Sequence, residues 1–191
     1  MSKGKEMVFA ESSTAMVTEN LVEDLLGVGS AGDDNVQFLK FSKNGQWLYG
    51  ADEDVLANDE VLYVNAASFV AGSILWVDGK VAEEDCQPIS QRANLKHIDG
   101  ADAYLGVTFK AMEDGLALSY KASSFGGKKM LKNLMREIGT GLAANGIDKI
   151  AMVTLSGDSY KHKKFGTINT PEFTLSGWAG ADGVEIKKLA A

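Results

Sequence analysis

From Val36 onward the apolar residues of this chain fall mostly at alternate positions, short glycine turns punctuate the alternation, and a single helical repeat interrupts it. FLKFSKNGQWLYG predicts two short strands joined at Asn44-Gly45, because both residues tolerate positive φ and so suit a tight hairpin turn. VLYVNAASF and GSILWVDGKVA predict a further strand pair, with Asp78-Gly79 as another tight turn, and the ADEDVLANDE segment before them reads as an acidic, solvated loop. Residues 85–103 lack a clean period and are expected to form the longest irregular connection. YLGVTFKAM and LALSYKAS predict strands on either side of Glu113-Asp114-Gly115, IAMVTLS and PEFTLSGW two more, and GADGVEIKKLAA a short edge strand.

The helical repeat is GGKKMLKNLMREIGTGLAA, in which Met130, Leu134, Ile138 and Leu142 recur every four residues and make one apolar stripe. Gly139 and Gly141 weaken its last turn, and Asn145-Gly146 ends it. Strands, then one long amphipathic helix, then the last two main strands define an α+β chain, mostly antiparallel β, for which an OB-like barrel is the expected architecture. At 191 residues, with no internal repeat or proline-rich linker, residues 36–191 are expected to form a single β-rich domain. Residues 1–35 predict a mobile arm with one short helix, where Leu21, Val22, Leu25 and Leu26 follow Thr18 as N-cap; a helix docked on the core is the alternative.

The net charge of −7 argues at first against a polyanionic partner, but its distribution reverses the argument. Residues 1–95 carry 6 basic against 16 acidic side chains, whereas residues 121–164 carry 9 against 3. No window reaches the roughly 18 apolar residues of a membrane span, and Glu6 and Glu11 interrupt any apolar signal region after Lys3 and Lys5, so a cytoplasmic protein with no membrane partner is expected. The lone Cys86 has no partner for an internal disulfide and no basic cluster beside it in sequence to activate its thiol.

Two basic tracts carry the candidate chemistry. On the helix, Lys128, Lys132 and Arg136 share the face opposite the apolar stripe, with Lys121 and Lys129 nearby, and Glu137 is the only acidic residue between Lys121 and Ala144. Ser123, Ser124 and the Gly126-Gly127 backbone could present N–H groups where the helix dipole favours an anion. An ordinary solvated helix face is the competing explanation, but such faces usually mix signs. The second tract, SYKHKKFG, sets Lys161, His162, Lys163 and Lys164 between Tyr160 and Phe165. Lysines meet phosphates and aromatic faces stack on unpaired bases, so this interleaving suits a single strand; a basic turn whose aromatics anchor the core is the alternative. Trp47 and Trp178 are further candidates for stacking, Trp178 being better suited to the core.

Catalysis finds little support. GGKK lacks the P-loop spacing, neither His97 nor His162 has metal-ligand neighbours, the acidic run from Asp52 to Glu60 lacks the EF-hand pattern, and no nucleophile elbow or dinucleotide fingerprint is present. No cofactor and no enzymatic activity are expected.

The succession FLKF, GQWLYG, LWVDGK, YKASSFGGKK and SYKHKKFGTINTPEF followed by Trp178 resembles a group of small, mostly uncharacterised tailed-bacteriophage proteins, over about residues 36 to 178. The resemblance implies an early or replication-associated product and a single-stranded DNA-binding role on an OB-like fold, with phage or host replication proteins as partners. Many phage single-strand binders end in an acidic tail, whereas this chain ends in VEIKKLAA. A non-enzymatic host-interaction or virion protein using the acidic N-terminal half is the alternative.

Overall fold

The computed structural model describes residues 36–57, 60–111, 115–146, 149–180 and 185–188. The predicted arm of residues 1–35 lies outside the described residues. Eleven strands and one α-helix make up the described chain, together with two 3₁₀ turns at Ala66–Ser68 and Ile89–Asn94. The strands are β1 Val36–Phe41, β2 Trp47–Tyr49, β3 Asp54–Val55, β4 Val61–Val64, β5 Val70–Val77, β6 Lys80–Pro88, β7 Asp102–Ala111 and β8 Ala117–Ala122. Helix α1, Phe125–Asn145, precedes β9 Ile150–His162, β10 Gly166–Ala179 and β11 Glu185–Lys188.

Local turn chemistry sets several junctions. Gly45 (φ 80°) closes the β1–β2 hairpin, and Asp78 (φ 52°) with Gly79 (φ 75°) closes the β5–β6 hairpin, as the sequence predicts. VLYVNAASF is not one strand, because the Asn65 side chain accepts a 2.8 Å hydrogen bond from Ala67 N and caps the 3₁₀ turn that separates β4 from β5. The stretch expected to be irregular from residue 85 is part strand, since β6 runs to Pro88 before the second 3₁₀ turn.

Strand β7 is the trunk of the sheet. One of its edges pairs with β8, and the other pairs with β5 through its first half, from Gly106 to Asp102, and with β4 through its last residues, Phe109 to Ala111. The sheet therefore forks into a β5–β6 branch and a β4–β9–β10–β11 branch, while β8 continues to β1, β2 and β3. Past the pairing of Ile74 with Asp102, β5 runs beyond the start of β7, whereas β9 runs beyond β7's end after Thr154 pairs with Val61. The β5–β6 and β9–β10 hairpins thus leave the trunk by opposite ends.

Most pairings are antiparallel, but β1 lies parallel to β8, so the sheet is mixed. It is also open and not a closed barrel, because no backbone ladder joins β2 or β3 to β9 or β10. That seam is bridged by side chains instead. Trp47 Nε1 donates to the Ser156 carbonyl at 2.8 Å and Asn169 Nδ2 donates to the Lys43 carbonyl at 2.7 Å. The approach is so close that a Cβ added to Gly157 would stand 2.7 Å from Phe41 Cζ and 3.1 Å from the Gly45 carbonyl oxygen.

The curled sheet encloses an aromatic cluster around Trp47, whose ring lies 5.1 Å from Phe41, 5.1 Å from Tyr120 and 5.5 Å from Phe173. These tilted and edge-on contacts are the arrangement that ring quadrupoles favour. Helix α1 packs chiefly on β10, also touching β7, β8 and the turn at Ala66–Ser68. Its buried line is Gly127, Leu131, Leu134 and Ile138. The predicted stripe was therefore right at Leu134 and Ile138 and rotated elsewhere, with Met130 and Leu142 only partly buried. Ser124 Oγ accepts from Gly127 N at 3.1 Å as the N-cap, and Gly146 (φ 109°) ends the helix, donating its N–H to the Leu142 carbonyl.

Candidate nucleic-acid interface

The tract between the predicted strands IAMVTLS and PEFTLSGW is not a loop. Strands β9 and β10 run through it as one ribbon, leaving only Lys163, Lys164 and Phe165 in the turn before Gly166 (φ 74°). Beyond residue 156 both strands have polar residues on both faces, so alternation fails to reveal them, although the backbone ladder is continuous along the ribbon.

Register sorts its side chains. Tyr160 lies opposite Ile168 and His162 opposite Gly166 on one face, while Lys161 lies opposite Thr167 on the other. His162 Nδ1 accepts hydrogen bonds from the backbone N–H groups of Lys164 (3.1 Å) and Phe165 (3.3 Å), which pins the turn. Its ring stacks on Phe165 at 4.8 Å with 24° between planes, and Lys164 Nζ stands 5.5 Å from the Phe165 centroid. Tyr160 is 51% and Phe165 67% exposed, so neither anchors the core. The ribbon's two carboxylates hydrogen-bond locally: Asp158 accepts from Ser159 N at 2.7 Å, and Glu172 from Ser156 Oγ at 3.1 Å.

The helix tract is more divided. Lys128 Nζ donates to the Ala103 carbonyl at 3.0 Å, on the second residue of β7, while Lys129, Lys132 and Arg136 are exposed, Arg136 donating to Asn133 Oδ1 at 3.3 Å. One backbone N–H that the sequence offered to an anion, that of Gly127, is already taken by the Ser124 cap. Phe125 is 83% exposed on the same face; it falls on no apolar period and was missed as a candidate from sequence.

Lys121 is placed differently from the other cations. Its ammonium is 2.7 Å from Glu84 Oε1, which also accepts from the Tyr104 hydroxyl at 2.5 Å, and it lies 5.2 Å from the Tyr104 ring centroid. Gly72 makes room for that ring, since a Cβ there would be 2.2 Å from Tyr104 Cζ. Burial raises the Glu84 pKa, but hydrogen bonds from Lys121 and Tyr104 outweigh it and hold the carboxyl below its ordinary 4.5. Burial likewise pushes up the Cys86 thiol and the Tyr104 hydroxyl beside it, and lifts Tyr120 to about 12.

The two tracts adjoin at one point: a Cβ on Gly126 would lie 3.9 Å from Thr170 Cγ2, at the base of the ribbon. Apart from Lys121, paired to Glu84, no lysine of either tract is in an ion pair with a described residue. Trp47 and Trp178, the tryptophans considered for stacking, are both buried. The exposed tryptophan is Trp76, on the opposite β5–β6 hairpin with Val77 and Val81. No helix among the described residues is long and apolar enough to cross a membrane, and no group of three His, Cys, Asp or Glu among them is placed to hold a metal ion.

No protein-family model, curated protein or solved structure matches the chain.

Proposed function

We propose that this protein binds single-stranded DNA without sequence specificity, as a bacteriophage-type product acting in replication or recombination in the host cytoplasm. The carrying observation is the β9–β10 ribbon, whose Tyr160 and Phe165 rings are exposed with Lys163 and Lys164 in the adjoining turn and Lys161 on the ribbon's other face. Bases stack on the rings while phosphates meet the lysines, and Lys129, Lys132 and Arg136 of α1 extend the cationic surface. The curled sheet serves as an OB-like platform for this ribbon. Lys128 turns from Ala103 to phosphate only by giving up its hydrogen bond, and Lys121 acts through the local field while paired to Glu84.

The test is fluorescence anisotropy of labelled single- and double-stranded oligonucleotides over a salt series. Roughly five phosphate contacts give a slope of log affinity on log salt of about −3.5 on single strands. Absence of binding at low salt, or a salt-independent affinity, sinks the proposal. Intrinsic tryptophan emission is a poor readout, since two tryptophans are buried and Trp76 sits on the other hairpin.

Exposed Trp76, Val77 and Val81, on a hairpin that also carries Asp78, Glu83 and Asp85, favour a second reading, a protein-interaction role. A host protein retained after nuclease treatment, and lost on Trp76→Ala, supports that reading over DNA binding.

A further inference from the structure

We propose that Phe125 is a second base-stacking platform, so that a bound single strand runs from the β9–β10 ribbon onto α1. The inference rests on the DNA-binding reading above and extends its site to a residue on another element.

Phe125 is the most exposed of the large apolar side chains described, and it stands on the first turn of a helix that buries its opposite face. A single exposed phenylalanine is unremarkable by itself. Its surroundings give it chemistry. At about 100° per residue, Lys132, Arg136 and Lys129 all fall within roughly 40° of Phe125 around the helix axis, and Glu137 about 120° away. The stripe from Phe125 to Arg136 is about 16 Å long. An aromatic face beside a row of cations, of which none pairs with a described carboxylate, complements a chain of bases and phosphates. An apolar protein groove would accept the ring but not three unneutralised cations around it.

Continuity with the ribbon is direct. Gly126, the next residue, lies against Thr170, and from Thr170 the ribbon extends five residues to Phe165, about 16 Å at strand rise. Phe165 and Phe125 thus stand near the two ends of one surface, with Tyr160 between them on the ribbon.

The experiment compares Phe125→Ala, Phe125→Trp and Phe165→Ala by anisotropy on oligothymidylates of about 4 and about 16 nucleotides, the range covered by single OB folds. Phe125→Ala should weaken the longer strand roughly tenfold and leave the shorter one unchanged, while Phe165→Ala weakens both. Phe125→Trp should retain affinity, and its emission should be quenched by the longer strand. Wild-type affinity of Phe125→Ala for the longer strand overturns the inference while leaving the ribbon's role standing. An equal loss towards heparin, which has no bases to stack, also overturns it. Failure of the wild-type protein to bind either oligonucleotide overturns the DNA-binding reading itself.

Discussion

Trp47 Nε1 reaches across the open side of the sheet to the Ser156 carbonyl at 2.8 Å, joining β2 to the point where β9 becomes the exposed ribbon. The same indole is the centre of the aromatic cluster, so one side chain both fills the core and holds the seam. Trp47→Phe keeps most of the apolar volume but leaves the Ser156 carbonyl without this donor. We expect a loss of about 2–4 kcal/mol, from one unsatisfied acceptor and a partial cavity, read from the midpoint of urea unfolding.

Asn169 makes the second bridge, to the Lys43 carbonyl, in a partly exposed setting. Asn169→Ala should cost only about 1 kcal/mol globally. Its clearer effect should be local, since Lys43 lies in the exposed β1–β2 turn. Faster tryptic cleavage after Lys43 in the variant is the expected result; an unchanged cleavage rate would show that the bridge does not restrain that turn.

Gly139 and Gly141 lie two residues apart in α1 and should respond oppositely to alanine. A Cβ on Gly139 meets nothing within 4 Å, so Gly139→Ala should stabilise by up to about 1 kcal/mol through helix propensity. At Gly141 a Cβ would stand 2.0 Å from Trp178 Cζ2, inside a buried ring. Overpacking of about 1–3 kcal/mol or more then exceeds the propensity gain. Thermal unfolding of the two variants should move the midpoint in opposite directions.

Glu84 supplies a pH dependence. Its pKa in the folded protein is lowered from 4.5, the Lys121 and Tyr104 hydrogen bonds overcoming the effect of burial. A depressed carboxylate contributes stability that is fully present above its unfolded-state pKa and is lost as pH falls through the folded-state value. Glu84→Gln should therefore lower stability at neutral pH and flatten the decline below pH 4.5, measured as urea midpoints across an acid series.

What was legible in the sequence was local. Asn44-Gly45, Asp78-Gly79 and Asn145-Gly146 mark turns and a helix end through their own backbone chemistry, and each sits where the sequence places it. What was not legible depends on partners distant in sequence. The parallel alignment of β1 with β8 joins segments about eighty residues apart, with no local signal in either. Likewise the pairing of Lys121 with Glu84 spans 37 residues and turns an apparent surface cation into part of a half-buried network. Helix period identified Leu134 and Ile138 but not Leu131, because the direction from which β10 covers α1 decides which line of the helix is buried. Phe125 carries no periodic signal, because periodicity marks residues that are buried, not apolar ones left outside.

Because the β5–β6 and β9–β10 hairpins leave β7 by opposite ends, the charge each carries becomes a matter of direction as well as amount. Asp78, Glu83, Glu84 and Asp85 against Lys80 weight one end negatively; Lys161, Lys163 and Lys164 against Asp158 and Glu172 weight the other positively. Among the described residues, these two hairpins contribute an electric dipole along the trunk of the sheet. In the field of a polyanion such a dipole feels a torque before any contact forms, turning the lysine-bearing end inward while the acidic end trails. The net charge of −7 then slows approach in the wrong orientation, and added salt should remove that selectivity of encounter along with the attraction.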